Sequence, residues 1–114
     1  MNVVRSAREK HATEVVMLDI KKLSSIADYV VICSADSERQ VYALSKQVED
    51  DLQLVRVKPL SIEGLGENKW VLMDYNDVIV HIFLAPVRSY YDLEGLWADA
   101  ERVDTAGTER ASTG

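Results

Sequence analysis

The sequence predicts an α/β fold, in the broader α+β sense, with helices flanking a mixed β-sheet in the order αββαβββα. Three observations predict it. Short runs rich in Val and Ile recur at strand length, as in Val15–Ile20 and Tyr29–Cys33. One stretch of helical periodicity, Val41–Leu52, lies beyond them. The chain of 114 residues is long enough for one core and too short for two. With 47% hydrophobic and 28% charged residues it has the balance of a globular domain rather than of a disordered or fibrous chain. Residues 1–103 are expected to form that single domain.

Val3–Thr13 reads as the first helix. Val15-Val16-Met17-Leu18-Asp19-Ile20 follows as a strand, and Leu23-Ser24-Ser25-Ile26 as a turn. The unbroken apolar run Tyr29-Val30-Val31-Ile32-Cys33 suits a strand buried on both faces. Ser37 and Gln40 have the spacing of a capping box, and Glu38 favours the positive end of the helix dipole. Val41, Leu44, Val48 and Leu52 then form an apolar stripe, with Glu49, Asp50 and Asp51 toward solvent. Val55–Ile62 reads as a strand, and Pro59, which lacks a ladder donor, assigns it to an edge or a bulge. Gly64-Leu65-Gly66 is a loop. Lys69–Asp74 and Asp77–Leu84 alternate about Tyr75-Asn76 as a tight hairpin, because Asn tolerates left-handed backbone. Arg88–Ala100 reads as the last helix, with Tyr90, Leu93 and Trp97 on one stripe and Gly95 as its weak point. Residues 104–114 are small and polar and are expected to be a disordered tail.

A two-residue turn would pair Asp74 with Asp77, Leu72 with Ile79 and Trp70 with His81. Alternation gives the hairpin two unlike faces. Val71, Met73, Val78, Val80, Ile82 and Leu84 make an aliphatic face, which is core. Trp70, Leu72, Asp74, Asp77, Ile79, His81 and Phe83 make the other, a mixture suited to a binding hot spot. The alternative is that the last helix covers this second face, with Tyr90, Tyr91 and Trp97 on Trp70 and Phe83. Partial cover with an exposed rim satisfies both.

The 13 basic and 19 acidic residues leave a formal charge of −6. That disfavours a protein held mainly by nucleic-acid phosphates and suits a basic partner. A single cysteine, Cys33, cannot form an internal disulfide. Met1–Thr13 lacks the apolar core of a signal peptide, and no run approaches membrane-spanning length, so a cytoplasmic protein without membrane or direct DNA contact is expected.

Few residues point to chemistry. His11, His81 and Cys33 lack zinc-ligand spacing, and His81 reads better as a hydrogen-bonded sheet residue. Cys33 reads as a small core side chain rather than a nucleophile. Ser34 with Asp36 looks like turn chemistry. Opposed carboxylates at Asp74 and Asp77 would invite a cation, either a partner's Lys or Arg or, less favourably, a metal. Phosphate loops, HExxH and GxSxG are absent from the sequence. Neither a catalytic residue, a metal site nor a cofactor is predicted.

Val16–Trp97 resembles the ribosomal silencing factor, or Iojap-like, family. The resemblance rests on Leu18-Asp19-Ile20, Ala27–Ser34, Ser37 with Arg39-Gln40, Glu63-Gly64, Trp70–Tyr75, Asp77–Phe83, Tyr90–Glu94 and Leu96-Trp97. It implies a nucleotidyltransferase-like fold without that superfamily's catalytic elements. Ser34-Ala35-Asp36-Ser37 stands where a Gly-Ser pair would open a helix, and no Asp-x-Asp follows. Ala35 and Asn76 depart from glycines common in the family.

The resemblance further implies a translational repressor that binds the large ribosomal subunit through ribosomal protein L-fourteen and sterically blocks subunit joining under nutrient limitation. A part in large-subunit biogenesis goes with it. The expected docking residues are Trp70, Leu72, His81 and Phe83 for apolar contact, with Asp74, Tyr75, Asp77, Tyr91 and Asp92 polar. The rival readings are a small metal-dependent nucleotidyltransferase or hydrolase using Asp74, Asp77 and His81, and a nucleotide-sensing module. An uncovered apolar face would also suit a homodimer in the free state.

Overall fold

The computed structural model describes residues 2–9 and 12–103. Its elements are α1 (Asn2–Glu9), β1 (Thr13–Asp19), β2 (Tyr29–Ala35), α2 (Glu38–Leu54), β3 (Ser61–Glu63), β4 (Trp70–Asp74), β5 (Val78–Leu84), α3 (Ala85–Tyr91), α4 (Leu93–Leu96) and β6 (Glu101–Arg102). The six strands form one sheet in the order β3-β4-β5-β2-β1-β6. β2 and β5 run parallel and every other neighbouring pair is antiparallel. This is the mixed α+β sheet that the apolar runs predict.

β2 lies inside the sheet and is buried along nearly its whole length, which its continuous apolar sequence requires. α2 starts where Ser37 accepts the Gln40 N–H at 3.1 Å. The Gln40 Oε1 accepts from the Asp36 N–H at 3.0 Å, one residue before the Ser37 N–H that a capping box would engage. Ala35 closes β2 in extended backbone with no positive φ, so its departure from glycine costs nothing here.

Two cores sandwich the sheet. On one face Val41, Leu44, Val48 and Leu52 of α2, with Val3, Val4 and Ala7 of α1, pack on Val31, Cys33, Val71, Met73, Val80 and Ile82. On the other, Leu18, Val30, Ile32 and Phe83 lie beneath Val87, Leu93 and Trp97.

Thr13 opens β1 instead of closing the first helix expected over Val3–Thr13, and four further features differ from expectation. The strand expected at Val55–Ile62 shrinks to Ser61–Glu63, because its first residues close α2. Arg56 takes φ 63°, and the Val57 N–H donates to the Leu52 carbonyl at 2.9 Å. The strand is an edge, as Pro59 requires.

The hairpin register slips by two residues, giving Asp74↔Ile79, Leu72↔His81 and Trp70↔Phe83. Asp74 Oδ1 accepts the Asn76 N–H at 2.8 Å, Asn76 turns at φ 71°, and the Tyr75 N–H donates to the Val78 carbonyl. A two-residue slip preserves which side chains share a face.

The last helix is two short ones, broken where Asp92 takes φ 44°. A sixth strand, too short and too charged to read from sequence, pairs with Leu18–Asp19. Residues 104–114 and His11 lie outside the described residues.

Gly64 ends β3 at φ +92°, where an added Cβ would strike the Trp70 carbonyl oxygen and sit 3.3 Å from the Val71 Cα. Gly66 has a similar φ, +108°, but open space around it. We expect Gly64→Ala to cost about 3 kcal/mol, combining backbone strain with a backbone clash, and Gly66→Ala only about 1 kcal/mol. Urea midpoints of both variants test this. Equal losses would rule out the clash.

Candidate protein-docking face

The second sheet face is only partly covered. α3 starts directly after β5, with Pro86 in its first turn, and packs on β5 and β2. That cover leaves the β3–β4 end of the same face open. Trp70, Leu72 and Asp74 are half-buried there, and Glu63, which pairs with Leu72, is exposed beside them. The face is therefore covered by the last helices in one part and open in the other.

Aromatic rings organise the boundary between the covered and open parts. Trp70 stacks on Phe83 with centroids 4.9 Å apart and an interplanar angle of 28°. Tyr91 of α3 lies 4.8 Å from Trp70 on another side, and Tyr90 meets Tyr91 edge-on at 5.1 Å. Tyr90 is 83% exposed and Tyr91 53%. Trp70, Tyr90, Tyr91, Pro86, Lys69 and Glu67 line a groove of about 550 Å³.

His81 sits under this cluster. The Trp70 indole N–H donates to His81 Nδ1 at 3.0 Å. An indole is only a donor, so Nδ1 must carry a lone pair and the imidazole is neutral. Burial agrees, pushing the imidazolium down from 6.5 to about 4. Phe83 is fully buried and His81 nearly so. These two residues, expected to touch a partner, instead support Trp70 from beneath.

The polar residues separate as well. Asp74 is engaged by the Asn76 backbone, and Asp77 is exposed in the turn with its Oδ1 3.4 Å from the Asn76 amide nitrogen. They do not oppose each other, so the like-charge pair that would invite a cation does not form. Among the described residues no three His, Cys, Asp or Glu side chains come together as a metal site. Asp92 is exposed but caps α4, its Oδ1 accepting the Gly95 N–H at 3.3 Å.

Tyr75 packs on the opposite, α2-covered core, so it is not a polar contact of the Trp70 face. Its buried hydroxyl has no hydrogen-bond partner, and burial pushes its pKa up to about 12. Tyr75→Phe is expected to leave stability unchanged or raise it by up to about 1 kcal/mol, because it removes an unpaired polar group. A lower thermal midpoint would reveal a partner for that hydroxyl.

Cys33 is fully buried and its thiol is pushed up to about 12 by desolvation, the state of an inert core residue. Among the described residues no helix is long and apolar enough to cross a membrane.

Sequence reasoning left Glu63, Tyr90 and Arg88 out of the docking residues, although it placed Tyr90 as a ring that could cover Trp70. Glu63 becomes part of the rim only through β3–β4 pairing, and Tyr90 only through the turn of α3. Arg88 is buried, and its one signal in the sequence is a charge directly after the apolar run Leu84–Val87.

Comparison with known proteins adds a family context. The family described as "Ribosomal silencing factor during starvation" matches residues 1–114. The chain is 40% identical over 96 residues to ribosomal silencing factor RsfS of Bacillus subtilis, covering 84% of this chain and 81% of that one. It is similar to the crystal structure of protein CV0518 from Chromobacterium violaceum, with a TM-score of 0.82 and 35% identity, covering 84% of this chain and 80% of the other. A more distant relative is the mouse "Mitochondrial assembly of ribosomal large subunit protein 1", 24% identical over 83% of this chain and 43% of its own length.

Proposed function

The chain belongs to the ribosomal silencing factor family, and we propose that it represses translation by docking on the large ribosomal subunit through ribosomal protein L-fourteen. The observation that carries this reading is the open β3–β4 end of the sheet. There Trp70 and Leu72 offer apolar area, Tyr91 extends it, and Glu63, Glu67 and Asp74 supply negative charge at the rim. Trp and Tyr contribute large contact area for little lost rotamer freedom. Ribosomal proteins are generally basic, so an acidic face on a chain of charge −6 speeds the right encounter and discourages contact with RNA phosphates.

The repression is steric. A body of 36 × 34 × 26 Å bound at the intersubunit face would occupy space that the small subunit needs. Such a mechanism requires no catalysis and no cofactor, and it operates in the cytoplasm when nutrients are short. The name of the mouse relative supports a related part in large-subunit assembly. In the free protein the same exposed rings suit pairing with a second copy, which would compete with docking.

Co-sedimentation with separated ribosomal subunits tests the reading, followed by a subunit-joining assay. Stoichiometric migration with the large subunit alone, together with slower joining, is the expected result. Migration with neither subunit would overturn it and bring nucleotide and metal binding forward as the activities to assay.

A further inference from the structure

Arg88 is the one buried lysine or arginine among the described side chains. Its guanidinium joins three separate elements. Nε donates to Glu94 Oε1 of α4 at 2.9 Å, and Nη1 donates to the Ser34 hydroxyl of β2 at 2.8 Å. Nη1 also donates to the Glu14 carbonyl at 2.7 Å, where β1 is irregular and Glu14 takes φ 50°.

Burying a charged pair contributes little to stability compared with a well-packed apolar replacement; its better attested use is to specify one geometry. The geometry at stake here is the α3–α4 corner. α3 has seven residues and α4 only four, with no buried residue in α4, so neither is held by a broad apolar stripe. Between them Asp92 adopts left-handed backbone, a conformation that costs energy for a residue other than glycine. The Arg88 carbonyl accepts the Asp92 N–H at 2.9 Å, so the guanidinium and the corner belong to one rigid turn. Tyr91, one helical turn after Arg88, is the residue this corner holds against Trp70.

We propose that Arg88 is a positioning residue for docking: by bonding Glu94, Ser34 and the Glu14 carbonyl together, it fixes the α3–α4 corner so that Tyr91 is held against Trp70 before any partner arrives. This rests on the docking reading above and names the device that preorganises the face. Preorganisation matters because ordering a loose aromatic corner on binding would subtract from affinity.

The test uses Arg88→Lys in a Trp97→Phe background, so that Trp70 is the sole tryptophan. Lysine keeps the charge but cannot direct fixed planar N–H groups at three acceptors. We expect a shifted Trp70 emission in the free protein, unchanged hydrogen-exchange protection in β2 and β5, and large-subunit binding weakened at least tenfold at a temperature well below unfolding. A merely stabilising role would leave binding by the folded protein unchanged. Glu94→Ala, which removes a partly exposed partner, should reproduce the emission shift and part of the binding loss, and it decides the matter if Arg88→Lys does not fold.

Unchanged Trp70 emission in the folded variant overturns the proposal. So does a shifted emission with wild-type affinity. Failure of the unsubstituted protein to bind the large subunit is a different result. It overturns the docking reading and with it this role of Arg88, while the emission measurement still reports whether the corner is held.

Discussion

Lowering the pH from 6.5 to 4 is expected to cost the fold about 3 kcal/mol through His81 alone. The imidazole is neutral in the folded protein because burial and the Trp70 N–H both oppose a proton on Nδ1. In the unfolded chain it titrates near its ordinary value of 6.5. A depressed folded value means that the unfolded state takes up the proton first. His81 therefore contributes no pH dependence well above 6.5, and the destabilisation grows progressively as the pH falls from there toward about 4.

Protonation also leaves the Trp70 N–H without its acceptor, so acid acts on the docking cluster as well as on the core. Urea unfolding of the protein and of His81→Gln between pH 7 and pH 4 measures the effect. Glutamine can still accept from Trp70 but does not titrate, and the carboxylates common to both proteins cancel in the difference. Parallel stability curves would mean that His81 is solvated enough to titrate at its ordinary value in the folded state.

Trp70→Ala is expected to weaken large-subunit binding at least about 100-fold and to destabilise the fold by about 3 kcal/mol. Both losses come from one position. Trp70 stacks on Phe83, meets Tyr91 at 4.8 Å and bonds His81, so its removal opens a cavity and dismantles the cluster. Binding and folding are separated by two further variants. Tyr91→Ala removes a half-exposed ring and should cost about tenfold in affinity with a smaller stability loss. Tyr42→Ala, on α2 and 46% exposed across the sheet, should leave binding unchanged. Asp77→Lys should slow association if the partner surface is basic. Normal binding by folded Trp70→Ala would move the docking face elsewhere.

What the sequence by itself determined follows from short-range rules. Val41, Leu44, Val48 and Leu52 at helical spacing and Ser37 before them define α2 without reference to anything distant. Alternation in β4 and β5 assigns Val71, Met73, Val80 and Ile82 to one face and Trp70, Leu72, His81 and Phe83 to the other. That assignment survives the two-residue slip in pairing because side-chain direction repeats every two residues. The aromatic cluster at the heart of the candidate site was legible for the same reason.

The tertiary structure decided what depends on contacts between distant segments. Only the packing of α3 on β5 and β2 determines that Phe83 and His81 lie beneath Trp70 rather than beside it. The turn register came from Asp74 and Asn76 bonding locally and from the Asp77 carbonyl accepting the N–H groups of Asp28 and Tyr29 where β2 begins. β6 exists because β1 offers a free edge to Glu101 and Arg102, two residues with no strand signal of their own. Arg88 resembles a surface arginine in the sequence. Its burial requires Ser34 and Glu14, which lie 54 and 74 residues away and meet it only in the folded chain.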